Sequence, residues 1–258
     1  MRVILQFALC ALLFFSLFPL FSWSQTADGP QAPASKSAET LLLRRFEERY
    51  RNPSSLSATF LERYLENGHV IRIEAGEAYF LRPGKMRWEY ESPEKNLFLV
   101  DGKTAWFYVP ADHSVTRVPA KESADWRTPL ALLAGKMKLS RICASIQSAV
   151  SEKPESPENV VFRCDLRAQK ANPARPTSQG TANQENTPEP AVLFEISKKT
   201  ADLVRLLVQD AAGIAVEFHF KNWQFDPPVE ESLFRFHVPP GIAIVNGELP
   251  AGQNALNP

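Results

Sequence analysis

The sequence predicts a mainly β protein built from an antiparallel sheet of about ten or eleven strands in succession. Apolar and polar residues alternate along many short segments, which is the pattern of a strand with one buried and one solvated face. The dipeptides Asn67-Gly68 and Asp101-Gly102 lie between such segments and are typical of tight hairpin turns. Because the predicted strands follow one another in succession along the chain, we expect one meander-like domain.

The N-terminus has the features of a cleavable secretion signal. Arg2 precedes an almost wholly apolar stretch over residues 3–21, and Ser22-Trp23-Ser24 supplies the small residues of a peptidase site. The stretch is also long enough for an uncleaved membrane anchor, although no basic cluster follows it. Cys10 lies inside the stretch and not at its end, so it does not mark a lipid-anchored protein. We expect a signal peptide over residues 1–24 and a soluble, exported mature chain.

A leader and an amphipathic helix follow. Residues 25–37 are polar and rich in proline and alanine, so we expect them to be flexible. Ser37 can cap a helix that runs to about Arg51, and Asn52-Pro53 ends it because the residue before proline disfavours the helical region. One apolar stripe with four-residue spacing runs along this helix and consists of Leu42, Phe46 and Tyr50.

The predicted strands fall into two groups. The first group comprises residues 56–60, 71–75, 86–90, 97–100 and 105–109. The second group comprises residues 142–149, 160–167, 192–196, 203–209, 214–221 and 234–238. Residues 169–190 contain almost no apolar side chain, which predicts a disordered insertion between adjacent strands. The domain would then span residues 38–245, with a frayed tail over 246–258.

The segment between the two groups breaks the β pattern. Thr128 and Pro129 suit the first positions of a helix, and Gly135 suits its end. Residues 130–134 between them are apolar on every side. So short a helix is not stable alone in water, and one that is apolar all round must be buried against another element.

Cys143 and Cys164 are the two cysteines of the expected mature chain. An exported protein meets an oxidising compartment, and the spacing suits a disulfide across a hairpin. Two small core residues that never meet would give the same sequence. Both interpretations stay open at this point.

The composition argues against nucleic-acid binding and against catalysis. Lys and Arg total 29, as do Asp and Glu, so there is no basic excess to attract nucleic acid. The four histidines are far apart, and no nucleophile elbow, phosphate-binding glycine loop or CxxC pair occurs. His219 lies on the polar face of its strand, which predicts a solvated surface histidine. We therefore expect neither an enzyme nor a cofactor or metal site.

Aromatic residues are concentrated between positions 79 and 108. They could form an ordinary sandwich core or line a ligand cavity inside a curled sheet. The short apolar helix over 130–134 favours the cavity, because it suits a plug better than a structural support. The aromatic residues are Tyr79, Phe80, Trp88, Tyr90, Phe98, Trp106, Phe107 and Tyr108.

Several segments form a long and specific pattern, from an Arg-Pro turn through an Arg-Trp strand to a DGKTAWFY hairpin. They are Leu81–Tyr90, Ser92-Pro93, Val100–Pro110, Thr128–Leu133 and Phe234–Gly241. Together these segments resemble the LolA family of outer-membrane lipoprotein carriers. The resemblance covers about residues 40–245 and leaves out the leader and the insertion.

The resemblance implies a fold and a set of site residues. The fold is an incomplete, strongly curved antiparallel β-barrel with a helical lid over a hydrophobic cavity for acyl chains. Arg82 matches the family's arginine that ties the closed lid to backbone carbonyls. We expect Leu130, Leu132 and Leu133 on the lid side of the cavity, and Trp88, Trp106 and Phe98 on its sheet side.

The resemblance also implies a function. A monomeric periplasmic carrier would accept acylated lipoproteins from an inner-membrane lipoprotein-releasing ABC transporter complex and bring them to the outer membrane, to an acceptor where one exists. A lipid or glycolipid chaperone and a lipoprotein-sensing adaptor on the same fold are the alternatives. The 169–190 insertion and the cysteine pair depart from the better-known members.

Overall fold

The computed structural model describes residues 32–120, 133, 138–167, 191–209 and 213–247. These residues form one open, curved sheet of twelve strands with two α-helices, α1 (Ala32–Arg51) and α2 (Leu139–Ile142). The strands are β1 (Ser55–Glu66), β2 (His69–Leu81), β3 (Lys85–Ser92), β4 (Asn96–Val100), β5 (Thr104–Val109), β6 (Ser114–Pro119), β7 (Cys143–Ser148), β8 (Asn159–Leu166), β9 (Ala191–Ser197), β10 (Leu203–Gln209), β11 (Ile214–Phe225) and β12 (Ala243–Asn246).

The sheet order is β12-β6-β5-β4-β3-β2-β1-β11-β10-β9-β8-β7. Most neighbours in the sheet are neighbours in sequence and pair antiparallel, so the prediction of a mainly β meander is confirmed. Two pairings depart from this pattern: β1 pairs with β11, which is distant in sequence, and β12 pairs in parallel with β6. Strands β8 and β9 are adjacent, as expected of the two strands that flank the 169–190 insertion.

Distances between aromatic rings show how strongly the sheet is curved. Trp88 of β3 and Phe218 of β11 are separated by three strand spacings, which is about 14 Å in a flat sheet. Their ring centroids are only 5.3 Å apart. The sheet must therefore fold towards the face that carries these rings, called the inner face below; the opposite face is called the outer face.

Helix α1 packs its predicted stripe into the sheet. Leu42, Phe46 and Tyr50 are all buried, and Phe46 contacts Phe194 with 6.3 Å between ring centroids. The helix begins at Ala32, so the expectation that the flexible leader extends to residue 37 was wrong. Ser37 can cap a helix, but the helix instead begins upstream with Pro33 in its first turn, where proline is tolerated, and continues through Ser37.

The two predicted turns have the expected backbone. Asn67 and Gly68 have φ values of 50° and 78°, and Gly102 has a φ of 100°. At the second turn the Asp101 side chain accepts hydrogen bonds from the backbone N–H groups of Lys103 and Thr104, each at 2.8 Å. This arrangement fixes the β4–β5 connection that precedes Trp106.

The predicted strand over residues 234–238 does not form. Residues Glu231–Phe234 make a 3-10 helix, and the chain then crosses the outer face without pairing. Phe234 is buried, and Phe236 packs on Trp106 with centroids 5.4 Å apart. Alternate side chains of this segment are buried or half-buried against the sheet, and this burial explains why its sequence resembles that of a strand.

Some predictions fall outside the described residues. They concern the signal peptide, Leu130 and Leu132 of the apolar segment, the 169–190 insertion and all but the first residues of the tail. Within the described part of the chain, no helix is long and apolar enough to cross a membrane.

Candidate functional site

An aromatic cluster occupies the centre of the inner face. Trp88 is 1% exposed and contacts rings from three other strands. Its centroid lies 4.8 Å from Phe60, 5.8 Å from Phe80, 5.3 Å from Phe218 and 6.1 Å from Phe220. The strand parity of β1, β2, β3 and β11 places these rings on one face, and the curvature of the sheet brings them into contact.

Phe98 extends this cluster and Trp106 does not. The pairing register places Trp88 opposite Phe98 and Phe98 opposite Phe107, so these three share the inner face. Trp106 is opposite Leu99 and therefore lies on the outer face. The expectation that Trp106 lines the inner side was wrong, because the segment around Phe236 buries this strand from its other side.

Helix α1 and Leu133 cover part of the inner face. Leu133 is 1% exposed and belongs to the same apolar core as Trp88 and Phe46. The Tyr50 hydroxyl accepts a hydrogen bond of 2.8 Å from the backbone N–H of Leu203, which fixes the end of the helix on β10. Burial raises the pKa of Tyr50 well above its ordinary value.

Arg82 lies at one end of the inner face, in the β2–β3 turn. Its backbone N–H donates to the carbonyl of Ser54 at 3.0 Å. The side-chain nitrogens Nε and Nη2 are buried and have no hydrogen-bond partner among the residues that the structure describes. Burial lowers the pKa of this guanidinium, and Asp226 partly offsets the effect.

A polar band lies at the other end of the inner face. The Tyr90 hydroxyl donates a hydrogen bond of 2.7 Å to the buried carboxylate of Glu62. Arg72 lies 3.2 Å from Glu74, and burial raises the pKa of that carboxyl. Every second residue of β1 faces inward, from Leu56, Ala58 and Phe60 on to Glu62. The alternation in the sequence alone could therefore have predicted this buried carboxylate.

A separate cleft of about 370 Å³ lies between the end of α1 and the β9–β10 turn. Its walls include Arg45, Glu48 and Arg49, and the Arg49 guanidinium covers the Phe225 ring at 3.9 Å. Charged walls do not suit acyl chains. The aromatic inner face, which is apolar and centred on the buried Trp88, is the candidate site for an apolar ligand.

Comparison with known proteins assigns the chain to a family. A family model described as outer membrane lipoprotein carrier protein LolA matches residues 51–160. An outer-membrane lipoprotein carrier protein from Chromobacterium violaceum is 30% identical over 233 residues, covering 90% of this chain and 98% of the relative. The chain belongs to this family. A second carrier protein, from Nitrosomonas europaea, is 28% identical over 196 residues, covering 74% of this chain and 81% of its own length.

Among solved structures, the crystal structure of a LolA-superfamily protein from Nitrosomonas europaea has a TM-score of 0.39 with this chain. The two are 9% identical, and the match covers 76% of this chain and 97% of the other. Members of the LolA family are carriers and not enzymes, which agrees with the sequence prediction. Within the described residues, no group of three or more potential ligand side chains could hold a metal ion.

A charge network on the outer face was not predicted from the sequence. Arg205 of β10 donates to Glu195 of β9 at 2.9 Å and to Glu217 of β11 at 3.0 Å. The two glutamate side chains are only 0% and 5% exposed. Arg63 of β1 lies 2.9 Å from Glu217. The network thus links four strands through buried charges.

His219 belongs to this network, so the prediction of a solvated histidine was wrong. Its Nδ1 contacts Glu155, and its Nε2 lies 3.0 Å from Glu217. Burial alone would lower the pKa of His219, but Glu217 and Glu155 outweigh it and raise that pKa. Burial alone would raise the pKa of Glu217, but His219 and Arg205 lower it to about 2.

Cys143 and Cys164 form a disulfide between β7 and β8, with Cα atoms 5.3 Å apart. Cys164 shares the inner face with Phe162, and both are buried. Cys143 directly follows α2, where the backbone N–H of Leu139 donates to Glu47 of α1 at 2.9 Å. The covalent link therefore lies at the edge of the sheet, beside the helix that covers it.

Proposed function

We propose that this protein is a soluble periplasmic carrier that holds the acyl chains of lipoproteins against its inner face and brings them from the inner to the outer membrane. The observation that carries the proposal is the apolar inner face centred on Trp88, in a chain of the LolA family. The apolar N-terminal stretch supports export, and the relatives are named for carrying lipoproteins.

The free energy of hydration explains why such a carrier needs a covered apolar surface. Each methylene that leaves water contributes about 0.8 kcal/mol, so three acyl chains are strongly retained in an apolar site. Strong retention would prevent delivery. A cover that competes with the cargo for the same surface lowers the net affinity and permits release. The burial of Leu133 in the same core as Trp88 supports its assignment to such a cover.

Arg82 is the proposed latch of that cover. Two of its buried nitrogens have no acceptor in the described part of the chain, and a buried donor without a partner is costly. Carbonyls of the segment that contains Leu130, Leu132 and Leu133 would supply the acceptors when the cavity is empty. Each such hydrogen bond is worth about 0.5–1.5 kcal/mol, which is strong enough to hold the cover and weak enough to open.

We further propose the partners that this function needs. The donor is an inner-membrane lipoprotein-releasing ABC transporter complex, and the recipient is the outer membrane, with an acceptor protein where one exists. The balanced composition of 29 basic and 29 acidic residues gives no basic excess to attract nucleic acid, and we propose that the carrier works as a monomer.

The material that co-purifies with the mature protein tests the cargo. The protein should be isolated from its own periplasm without detergent, and its bound lipids and proteins identified by mass spectrometry. Triacylated lipoprotein is the expected result. A glycolipid would contradict the lipoprotein cargo in favour of a chaperone for other lipids, and the absence of any acylated cargo would contradict carriage itself.

The latch is tested by Arg82→Leu in a two-step transfer assay. We expect the variant to take up lipoprotein released from spheroplasts but to lose most delivery to outer membranes, because its cover no longer competes with cargo. Arg87→Leu is the matched control: it lies on the same hairpin but pairs with Glu89 on the outer face. Unchanged delivery by the Arg82 variant would show that there is no latch at this position.

A further inference from the structure

Trp88 carries a buried donor that has no acceptor in the part of the chain that the structure describes. Of the three tryptophans in the described part of the chain, Trp106 donates to Asp101 at 3.2 Å and Trp223 to the Leu203 carbonyl at 2.8 Å. The Nε1 of Trp88 is buried and has no hydrogen-bond partner among the described residues. Buried indole N–H groups usually have an acceptor, so this one calls for an explanation.

The surroundings of Trp88 restrict what the acceptor can be. Its ring neighbours Phe60, Phe80 and Phe218 have no polar side-chain atom, and an aromatic ring is at best a weak acceptor. An anionic acceptor would bring an unpaired charge into this apolar centre, which is costly. An indole N–H is a donor only. The complementary ligand group is therefore a neutral acceptor attached to a large apolar body.

We propose that the Trp88 indole N–H donates a hydrogen bond to an ester carbonyl at the head of a bound acyl chain. This inference rests on the proposed carrier function and adds a positioning residue to it. The apolar rings around Trp88 would contact the methylenes, and the N–H would fix how deep the ester group enters. A fatty chain without a carbonyl would lose this contact and keep the rest.

The assignment gives Trp88 and Arg82 different roles. Arg82 lies in the turn at one end of the inner face, where its donors serve the cover of the empty protein. Trp88 lies in the centre of the cluster, where its donor serves the cargo. Loss of the Arg82 donors should impair delivery, whereas loss of the Trp88 donor should change which lipid binds.

Two synthetic lipopeptides separate this inference from the carrier function. One carries two ester-linked palmitoyl chains and an amide-linked third chain on its N-terminal cysteine; the other replaces both esters by ethers. The affinities of both lipopeptides for the full mature protein are measured by calorimetry, which does not depend on a tryptophan signal. We expect the ester probe to bind about three to ten times more tightly, as one net hydrogen bond allows.

The preference should disappear when the indole N–H alone is removed. Trp88→3-benzothienylalanine keeps the size of the ring system and replaces N–H by sulfur. We expect equal affinities for the two probes in this variant. The same replacement at Trp106, whose N–H is bonded to Asp101 on the outer face, is the matched control and should retain the preference.

A measurement on the wild-type protein tests the same inference if the replacement at Trp88 perturbs folding. In indole-¹⁵N-labelled wild-type protein, the Trp88 Nε1–H resonance should move downfield with the ester probe and much less with the ether probe. Equal binding of both probes together with an unmoved resonance would overturn the inference, since the N–H would then point at a ring, while carriage would stand. Failure of both probes to bind would contradict the carrier function itself.

Discussion

The two faces of the sheet differ in what their buried charged and polar groups contact. On the outer face, Arg205 is bonded to both Glu195 and Glu217. On the inner face, Nε1 of Trp88 and two side-chain nitrogens of Arg82 have no acceptor in the described residues. The division is not complete, since Nη2 of Arg205 also has no acceptor there and Tyr90 on the inner face donates to Glu62. The paired groups of the outer network are framework, whereas the donors of Trp88 and Arg82 are candidates for contact with a ligand or with its cover.

The largest expected effect comes from breaking the framework of the outer face. Arg205→Met keeps the length of the side chain but leaves two buried carboxylates without their shared cation. Removing one partner of a buried ion pair typically costs about 3–5 kcal/mol. We expect a loss of that size in the free energy of unfolding, measured in urea.

Arg44→Met serves as the control, because Arg44 is exposed and its ion pair with Glu48, at 3.9 Å, lies on the helix surface. Its expected loss is about 0–0.5 kcal/mol. If both variants lost the same amount, the outer network would not be part of the framework.

The disulfide tests the framework at the inner face. Replacing Cys143 and Cys164 together by alanine removes a link across a sequence separation of 21. The constraint on the unfolded chain predicts a loss of about 2–4 kcal/mol. Urea unfolding of the wild-type protein with and without a reductant provides the same measurement, and the reductant should leave the double variant unchanged. An unchanged wild type in reductant would contradict the link.

Sequence patterns predicted the strands better than the faces of the strands. Alternation located β1 to β3 because one side of each is polar. It failed for β5, where Trp106 and Phe107 are both apolar and the outer side is covered by a segment from 125 or more residues further along the chain. The local sequence of β5 does not show that a distant segment covers its outer side. The pairing register was therefore needed to decide whether Trp106 or Phe107 faces inward.

The charge network shows a second limit of sequence patterns. Glu195, Arg205 and Glu217 each occupy an ordinary polar position of a strand, and interleaved charges usually indicate a solvated surface. Only the pairing of β9, β10 and β11 brings them together. By contrast, Glu62 continues the series of inward-facing residues of β1, so the alternation in the sequence could have identified it as a buried carboxylate.

The pH dependence of stability should report the outer network. The pKa of Glu217 is lowered to about 2 in the folded protein, so its contribution is present above the unfolded value near 4.5 and is lost as the pH falls towards 2. The pKa of His219 is raised, so its contribution is present below about 6.5 and is lost as the pH rises through the folded value. Stability should therefore be greatest between about pH 4.5 and 6.5.

Denaturation midpoints of His219→Gln across this range check the alkaline side. The variant should lose stability at pH 5–6 and show a flatter curve above pH 6.5 than the wild type. His69→Gln, at an exposed position of β2, should reproduce the wild-type curve. If the stability of the His219 variant still fell above pH 6.5 as in the wild type, the loss of stability would come from another titrating group.

The smallest expected effect is the most direct comparison of the two faces. In the protein without ligand, replacing the indole N–H of Trp106 by sulfur removes its hydrogen bond to Asp101 and should cost about 1.5–3 kcal/mol, the value for a charged acceptor. The same replacement at Trp88 removes a donor that has no acceptor in the described residues. We expect no loss, or a gain, in stability, because a buried donor without a partner is itself costly and the contacts with Phe60 and Phe80 are kept. Equal losses at the two positions would mean that the fold already satisfies Trp88, and the inner face would then be framework like the outer one.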